Sequence, residues 1–494
     1  MNRYGRRYRH LDRDSSVADR STAIQSSSVK LGAPAKLDVV APSGDGLRRR
    51  LFEPIDIAPL VFFRVVFGGI MLWEVCRYFS YGWIERYYIE PTFFFSYYGF
   101  GWVRPWAGDG MYVHFAALGV LAACIVVGLC YRVAATLFFL GITYVFLLDQ
   151  THYLNHLYLI CILSLLMIFV PAHRAFSLDA ALRPGLRSST APAWALWLLR
   201  FQLAVPYFFG GIAKLNEDWL LAGEPMRMWL AKGTDVPVLS RWATESWTAY
   251  VMSWSGCLFD LFVIPFLLWR RTRPFAFTAA VAFHLMNDQL FQIGIFPWLM
   301  LFASLIFFPP ETFGRILRPV LRLQPASSEV FAAPAPAVTI GSRERAILFV
   351  LAIHVAVQVL VPFRHLLYPG PVSWTEEGHN FSWHMKLRDK RAKARFFVDD
   401  LDNGSTRLVR LRAHLSPRQV RKMRTRPDLL LQFAHHLGAL ERAAGRRNVA
   451  VRAQVLASLN GRPMQPLIDS SVDLSREPRS LWPWKAIRPL EPAD

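Results

Sequence analysis

The 494 residues are 53% hydrophobic and 14% aromatic, with 37 Phe and 17 Trp, too apolar for an ordinary soluble enzyme, so a bilayer is the expected solvent. A formal charge of +20 would ordinarily suggest nucleic acid. Here the basic residues fall mostly in short clusters flanking apolar runs, which is a pattern of membrane topology and excludes a nucleic-acid partner.

Residues 1–52 are polar and Arg-rich and include Arg48-Arg49-Arg50. They lack the apolar core and small-residue cleavage site of a secretory signal, so a disordered basic cytoplasmic tail is expected. Apolar runs suited to roughly 30 Å of hydrocarbon follow near 58–77, 111–131, 133–149, 154–171, 192–213, 248–269, 274–290, 294–309 and 345–363, about nine transmembrane helices in a domain over 53–365. With the N-terminus inside, the inner loops hold Arg132, then Arg174, Arg183 and Arg187, then Arg270, Arg271 and Arg273, then Arg315, Arg318, Arg322, Arg343 and Arg345. The outer loops before the C-terminal domain hold fewer, namely Arg86, Arg104, Arg227, Lys232 and Arg241, with Arg77 and Lys214 at span ends. Positive segments resist translocation, so the N-terminus is expected in the cytoplasm and the C-terminal domain outside. The Pro-, Ala- and Ser-rich stretch Pro325–Pro336 belongs to a cytoplasmic linker over 323–343.

From 366 to 494 the pattern changes. Ala394-Arg395-Phe396-Phe397-Val398 and Arg407-Leu408-Val409-Arg410-Leu411 alternate, with Asp399-Asp400 and Asn403-Gly404 as turns between them, and Val449–Leu459 is another strand-like run. Residues 416–444 have helical spacing through Leu429, Leu430, Phe433, Leu437 and Leu440. The expected fold class is an α-helical polytopic membrane protein with a C-terminal β-rich exoplasmic domain. Its five cysteines, Cys76, Cys124, Cys130, Cys161 and Cys257, all precede that domain, which excludes a disulfide framework within it.

Ionisable groups inside spans are costly and demand a partner or a function. Arg64, Glu74, Arg200 and Asp260 are scattered and read as interhelical partners. The rest gather at helix ends on the outer face: Asp149-Gln150-Thr151-His152-Tyr153-Leu154-Asn155-His156, Lys214, and His284 with Asn287. A helix-end lysine can simply snorkel to the headgroups. Before Lys214, however, Gly210-Gly211 lets a second helix or a flat ligand approach closely, leaving an apolar pocket in which desolvation favours a neutral amine able to act as a base. His156 and His284 each also read as satisfied packing residues, although their clustering with Asn155 and Asn287 argues for a site. His152 and His156, spaced i, i+4, could join His284 around zinc or iron. Asp149 and Asp288 stand nearby without a recognisable ligand pattern, and the expected site holds no metal.

These residues resemble the vitamin K-dependent gamma-glutamyl carboxylase family, also described by its horizontally transferred transmembrane domain. The resemblance runs through Phe63-Arg64-Val65-Val66-Phe67-Gly68, Gly128-Leu129-Cys130-Tyr131-Arg132, the Leu147–His156 run, Gly211-Ile212-Ala213-Lys214-Leu215-Asn216-Glu217-Asp218-Trp219 and His284-Leu285-Met286-Asn287-Asp288-Gln289-Leu290-Phe291. It continues in Phe381-Ser382-Trp383-His384-Met385, Asn460-Gly461-Arg462-Pro463-Met464-Gln465 and Val472-Asp473-Leu474. The resemblance implies an enzyme that oxidises vitamin K hydroquinone with O₂ to the epoxide, and uses the strong base so generated to add CO₂ to glutamate side chains of a polypeptide, without metal, biotin or ATP. It implies Lys214 as the base that deprotonates the hydroquinone, with Asn155 and His156 beside it as active-site residues. Asn155, His156, His284 and Asn287 are implied at the quinone. A membrane site suits this chemistry, because it keeps water from the reactive base, admits a prenylated quinone from the lipid and meets the polypeptide from outside.

The sequence also departs from the family. Animal members have a histidine and an arginine after the tryptophan matching Trp383, where this chain has Arg388 and Lys390; both can hold a carboxylate, though Lys lacks the bidentate fork. They read equally as a solvated basic strand edge. Arg462 matches the family's Asn-x-Arg-x-x-Gln element and completes the expected glutamate-binding set, but the arginine expected next is Pro466. The family's disulfide between membrane part and outer domain cannot form without a cysteine after 257. Together with the missing signal, this favours a bacterial plasma membrane. The departures keep open a quinol epoxidase that does not carboxylate glutamate; a non-enzymatic quinone-binding or transport protein is a further alternative.

Overall fold

The computed structural model describes residues 44–233, 240–291, 293–313 and 340–492. Most of the expected tail, and the linker through residue 339 with Arg315, Arg318 and Arg322, lie outside the described residues.

Every one of the nine apolar runs is helical. They form α1 (Ala58–Ser80), α2 (Gly110–Val127), α3 (Tyr131–Leu148), α4 (Asn155–Phe169), α5 (Ala193–Ala213), α6 (Ser246–Leu268), α7 (Arg273–Phe291), α8 (Phe296–Ala303) and α9 (Ser342–Leu360). Six are long and apolar enough to cross a membrane: α1, α2, α3, α5, α6 and α9, the last continued by a 3₁₀ segment to Leu367. The other three are less suited, because α4 and the α8 segment to Phe307 are short apolar helices, and α7 carries His284, Asn287, Asp288 and Gln289 along its last turns. A short antiparallel ladder, β1 (Pro54–Asp56) on β2 (Thr190–Pro192), joins the starts of α1 and α5.

In the C-terminal domain, β3 (Lys390–Asp400), β4 (Ser405–Leu408), β5 (Val449–Leu459) and β6 (Gln465–Pro466) make an antiparallel sheet in the order β4-β3-β5-β6. Alternate residues of β5, from Val449 through Leu459, point inward, where period-two spacing meets the buried face of a helix, Leu429, Leu430, Phe433 and Leu437. The single helical pattern expected over 416–444 is two helices, α10 (Pro417–Met423) and α11 (Pro427–Ala443). Pro427 is the cause: the residue before a proline is driven out of helical conformation, and Arg426 is extended at φ −124°. Leu440 of the expected stripe lies exposed.

The two parts interlock. Phe95, from the loop after α1, is fully buried in the core of the C-terminal domain. Trp383, from the C-terminal side, is fully buried in the helical core. Phe381, Trp383 and Lys386 all adopt positive φ, a tight path that carries this segment down among the helix ends. Gln419 adds polar stitching, its amide donating to Phe93 O at 2.7 Å and to Asp149 Oδ2 at 2.9 Å.

Candidate functional site

Lys214 caps the C-terminal end of α5 and is buried. The close helix approach expected of Gly210-Gly211 is present: a Cβ on Gly211 would lie 2.7 Å from Leu261 of α6, and one on Gly210 3.3 Å from Asp260 Oδ2. The missing side chains therefore bring Asp260 against the lysine. Lys214 Nζ donates to Asp260 Oδ2 and, at 3.3 Å, to Gly210 O, and it sits 5.6 Å from the centre of the Trp219 ring. Trp219 is itself fixed, its indole donating to Ser253 O at 2.8 Å. Lys214 is thus not alone in its apolar pocket, and Asp260 belongs to the site. Sequence reasoning grouped Asp260 with scattered span residues, of which Arg64 and Arg200 reach carbonyl oxygens of Phe176 and Ile306, and Glu74 pairs with Arg77 one turn along its own helix.

The pair lines a cavity of about 410 Å³ whose walls include Tyr207, Phe259, Phe283, His284, Asn287 and Phe291. His284 is buried and hydrogen-bonded at 2.7 Å to the Tyr207 hydroxyl. A second cavity, of about 350 Å³, holds Asn155 and His156 together with Glu376, Arg388, Lys390 and Arg426. The two cavities share Ile293, Phe296, Met385 and Lys386 as common wall.

Asn155 and His156 begin α4. The Tyr153 hydroxyl donates to Asn155 Oδ1 at 2.9 Å and accepts from Phe381 N at 2.7 Å, while Asn155 Nδ2 donates to His384 O at 3.2 Å. His384 and Phe381 come from the C-terminal domain, so that domain, together with Tyr153 of the helical part, sets the position of Asn155. His156 stacks on Phe296 at 5.7 Å.

Around Arg388 the cavity wall is cationic. Arg388 Nε donates to Glu376 Oε1 at 2.8 Å, Nη2 donates to Oε2, and Nη1 meets His379. Lys390 donates to Trp374 O and stands 3.7 Å from Glu376 Oε1. Burial pushes the Glu376 carboxyl up, but Arg388, Lys390 and Arg426 outweigh it and hold the carboxyl below its ordinary range. Burial pushes the Lys390 amine down to about 8, with Glu376 partly offsetting it. Burial, aided by the Arg388 charge, keeps His379 well below the ordinary histidine range. Glu376 and His379 were not singled out in the sequence; their signal was proximity to Trp383 on a segment rich in His and Glu.

The structure brings Arg388 and Lys390 together and places Arg462 elsewhere. Arg462 forms a bidentate pair with Asp218, at 2.7 and 2.9 Å, and lines a separate cavity of about 520 Å³. Asn460 Nδ2 donates to the same Asp218 at 2.7 Å, so the Asn-x-Arg element holds the loop that follows Lys214. Pro466 pairs with Leu456 from the edge strand β6. His152 packs on Tyr87 at 4.5 Å, whereas His156 and His284 pack on Phe296 at 5.7 and 6.4 Å; among the described residues no three metal-ligating side chains cluster.

An HTTM domain model matches residues 52–311, more than half of the chain, and a vitamin K-dependent gamma-carboxylase lumenal domain model matches residues 343–492. The chain belongs to the vitamin K-dependent gamma-carboxylase family. No solved structure matches it. Membership points to a vitamin K-dependent carboxylase-like membrane protein whose C-terminal domain is of the lumenal, exoplasmic kind; use of vitamin K hydroquinone, O₂ and CO₂ on glutamate-containing polypeptides is the property of the family. In family terms, the boundary between the two matched models falls close to the start of α9, yet the site is assembled from both sides of it.

Proposed function

We propose that this protein is a vitamin K-dependent gamma-glutamyl carboxylase, oxidising vitamin K hydroquinone with O₂ to the epoxide and coupling this to CO₂ addition at the glutamate γ-carbon of a polypeptide. The observation that carries the proposal is the shared wall of two unlike cavities: one apolar with Lys214, His284 and Asn287, the other cationic with Asn155, His156, Arg388 and Lys390. The apolar cavity fits the quinol by size and lining, within the roughly 300–1,000 Å³ of small-molecule sites. When bound, the quinol supplies with O₂ the strong base that a glutamate γ-hydrogen requires.

The side chains divide the remaining work. Lys214, held by Asp260, receives the proton of the quinol hydroxyl. His284, oriented by Tyr207, and Asn287 position the ring by hydrogen bonds to its oxygens. Asn155 and His156 stand in the second cavity, next to the common wall. Arg388 and Lys390 hold the substrate carboxylate so that its γ-carbon faces that wall, and Phe296 and Met385 limit water between the two halves. Arg462, by its pairing with Asp218, supports the Lys214 loop, and a contact to the substrate requires that pair to open. The Lys and Arg distribution supports a cytoplasmic N-terminus.

One observation favours a second reading, a quinol epoxidase without glutamate carboxylation: the Arg388 fork already holds an internal carboxylate, Glu376. The test is purified protein supplied with reduced vitamin K, O₂, labelled bicarbonate and a glutamyl peptide. Epoxide with label fixed in peptide is the expected result. Epoxide alone supports the second reading, and neither product from folded protein removes both.

A further inference from the structure

Asp260 lies in the middle of α6, a helix long and apolar enough to cross the membrane, and is buried at 4% exposure with its carboxylate against the equally buried Lys214. A carboxylate in such a place is costly unless it is paired. The glycines at 210 and 211 are what permit the approach, since a Cβ at either would press on Asp260 or Leu261. Both members of the pair line the apolar cavity, so a molecule bound there meets them together. The cavity groups around them are Tyr207 and His284, bonded to each other, and Lys386 on the common wall; behind the lining, Cys257, one turn before Asp260, points its thiol to Gly211 O at 3.8 Å.

We infer that the proton acceptor for the quinol is the Lys214–Asp260 pair acting as one unit, with Asp260 a positioning residue that also takes up the net proton. The inference rests on the reading of the cavity as the quinol site. The proton count runs through both groups. At rest a pair in a dry cavity is neutral overall and holds one exchangeable proton, whether drawn as ammonium with carboxylate or as amine with carboxylic acid. When the quinol O–H bond breaks, its proton joins the pair, which then holds an ammonium and a carboxylic acid. The negative charge left on the quinol oxygen faces the ammonium. No electron moves in this step, and the only group whose protonation differs between the ion-paired start and the end is Asp260. A lysine alone would have to lose its proton to water beforehand; the pair does not.

The test compares wild type, Asp260→Asn and Asp260→Glu by two readouts. The first is the pH profile of epoxide formation. In the wild type the acid limb reports a second proton entering the pair, a carboxyl titration. In Asp260→Asn it reports a lone lysine, so the limb moves to higher pH by more than about one unit and the rate at neutral pH falls roughly tenfold or more. Asp260→Glu restores the wild-type limb. The second readout, made without O₂, is the infrared difference spectrum on adding vitamin K hydroquinone: a carboxylic-acid band appears in wild type, shifts in Asp260→Glu and is missing in Asp260→Asn. Superimposable profiles for wild type and Asp260→Asn, with no carboxylic-acid band, would overturn the inference while leaving the epoxidase reading intact. A band without epoxide from wild type removes the epoxidase reading and keeps the pair as the quinol's proton acceptor. Absence of both overturns both.

Discussion

Arg388 holds Glu376 in a two-pronged contact, Nε to Oε1 at 2.8 Å with Nη2 on Oε2, and does so with the Glu376 side chain only 6% exposed. A planar guanidinium fork offered to a carboxylate is the arrangement expected for a substrate glutamate. Here the chain supplies the carboxylate itself. The proposed substrate site is therefore partly self-filled, and an incoming glutamate has to share or displace an internal one.

That competition predicts the behaviour of Glu376→Gln. Removing the charge leaves Arg388 and Lys390 with more attraction to spare, so KM for a glutamyl peptide should fall about fivefold, roughly 1 kcal/mol, with peptide-independent epoxide formation unchanged. Steady-state label fixation at varied peptide concentration measures it. A KM that rises instead would show that Glu376 serves to hold Arg388 in position.

For Lys214 the prediction concerns the amine rather than the charge. Lys214→Ala should lower epoxide formation by about 10²–10⁴-fold, the usual worth of a positioned general base. Lys214→Arg keeps a cation beside Asp260 but cannot pass a proton on to that carboxylate while taking one from the quinol, so it should be equally inactive. Full activity in Lys214→Arg would remove the lysine from proton transfer.

Arg462 and Asp218 join the sheet domain to the loop after Lys214 through two hydrogen bonds, at 2.7 and 2.9 Å, with Asn460 as third member. The Arg462 contact is the first cause of the low Asp218 carboxyl, with burial opposing it. Arg462→Ala should destabilise the protein by about 1–3 kcal/mol, read as a lower Tm in detergent, with little change in peptide KM. A raised KM at unchanged Tm would instead place Arg462 on the substrate.

Much of this architecture is legible in the sequence because it depends on local pattern. Hydropathy marks nine runs that all form helices, and period-two alternation marks Val449–Leu459 to the residue. Lys214, His284 and Asn287 stand out because polar groups within or at the borders of long apolar runs are costly to bury and here they gather on one face. What is not legible depends on long-range approach. Asp260 looks like any other span charge until Gly211 lets α6 close on α5. Glu376 and Arg388 are twelve positions apart on irregular backbone, where no period announces that two side chains will meet. The interlocking of Phe95 and Trp383 into each other's cores is hidden for the same reason.

Lys390 gives the clearest dependence on pH. Burial pushes its amine down to about 8 from the ordinary 10.5, against the opposing pull of Glu376. Below about pH 8 it is an ammonium able to bind a substrate carboxylate, and above it is neutral, while the substrate carboxylate stays ionised throughout. Peptide KM should accordingly rise as pH passes about 8, with quinol epoxidation following its own profile. Unfolding is not the cause, as the sign shows. Between about 8 and 10.5 the folded chain binds fewer protons at this residue than the unfolded chain, so the Lys390 contribution to stability increases with pH across that window. Lys390→Arg, whose guanidinium remains charged, should move the rise in KM beyond the accessible range. The check is peptide KM at several values from pH 7 to about 9.5 for both proteins, with Tm recorded alongside. A wild-type KM that stays flat across that range would take Lys390 out of carboxylate binding.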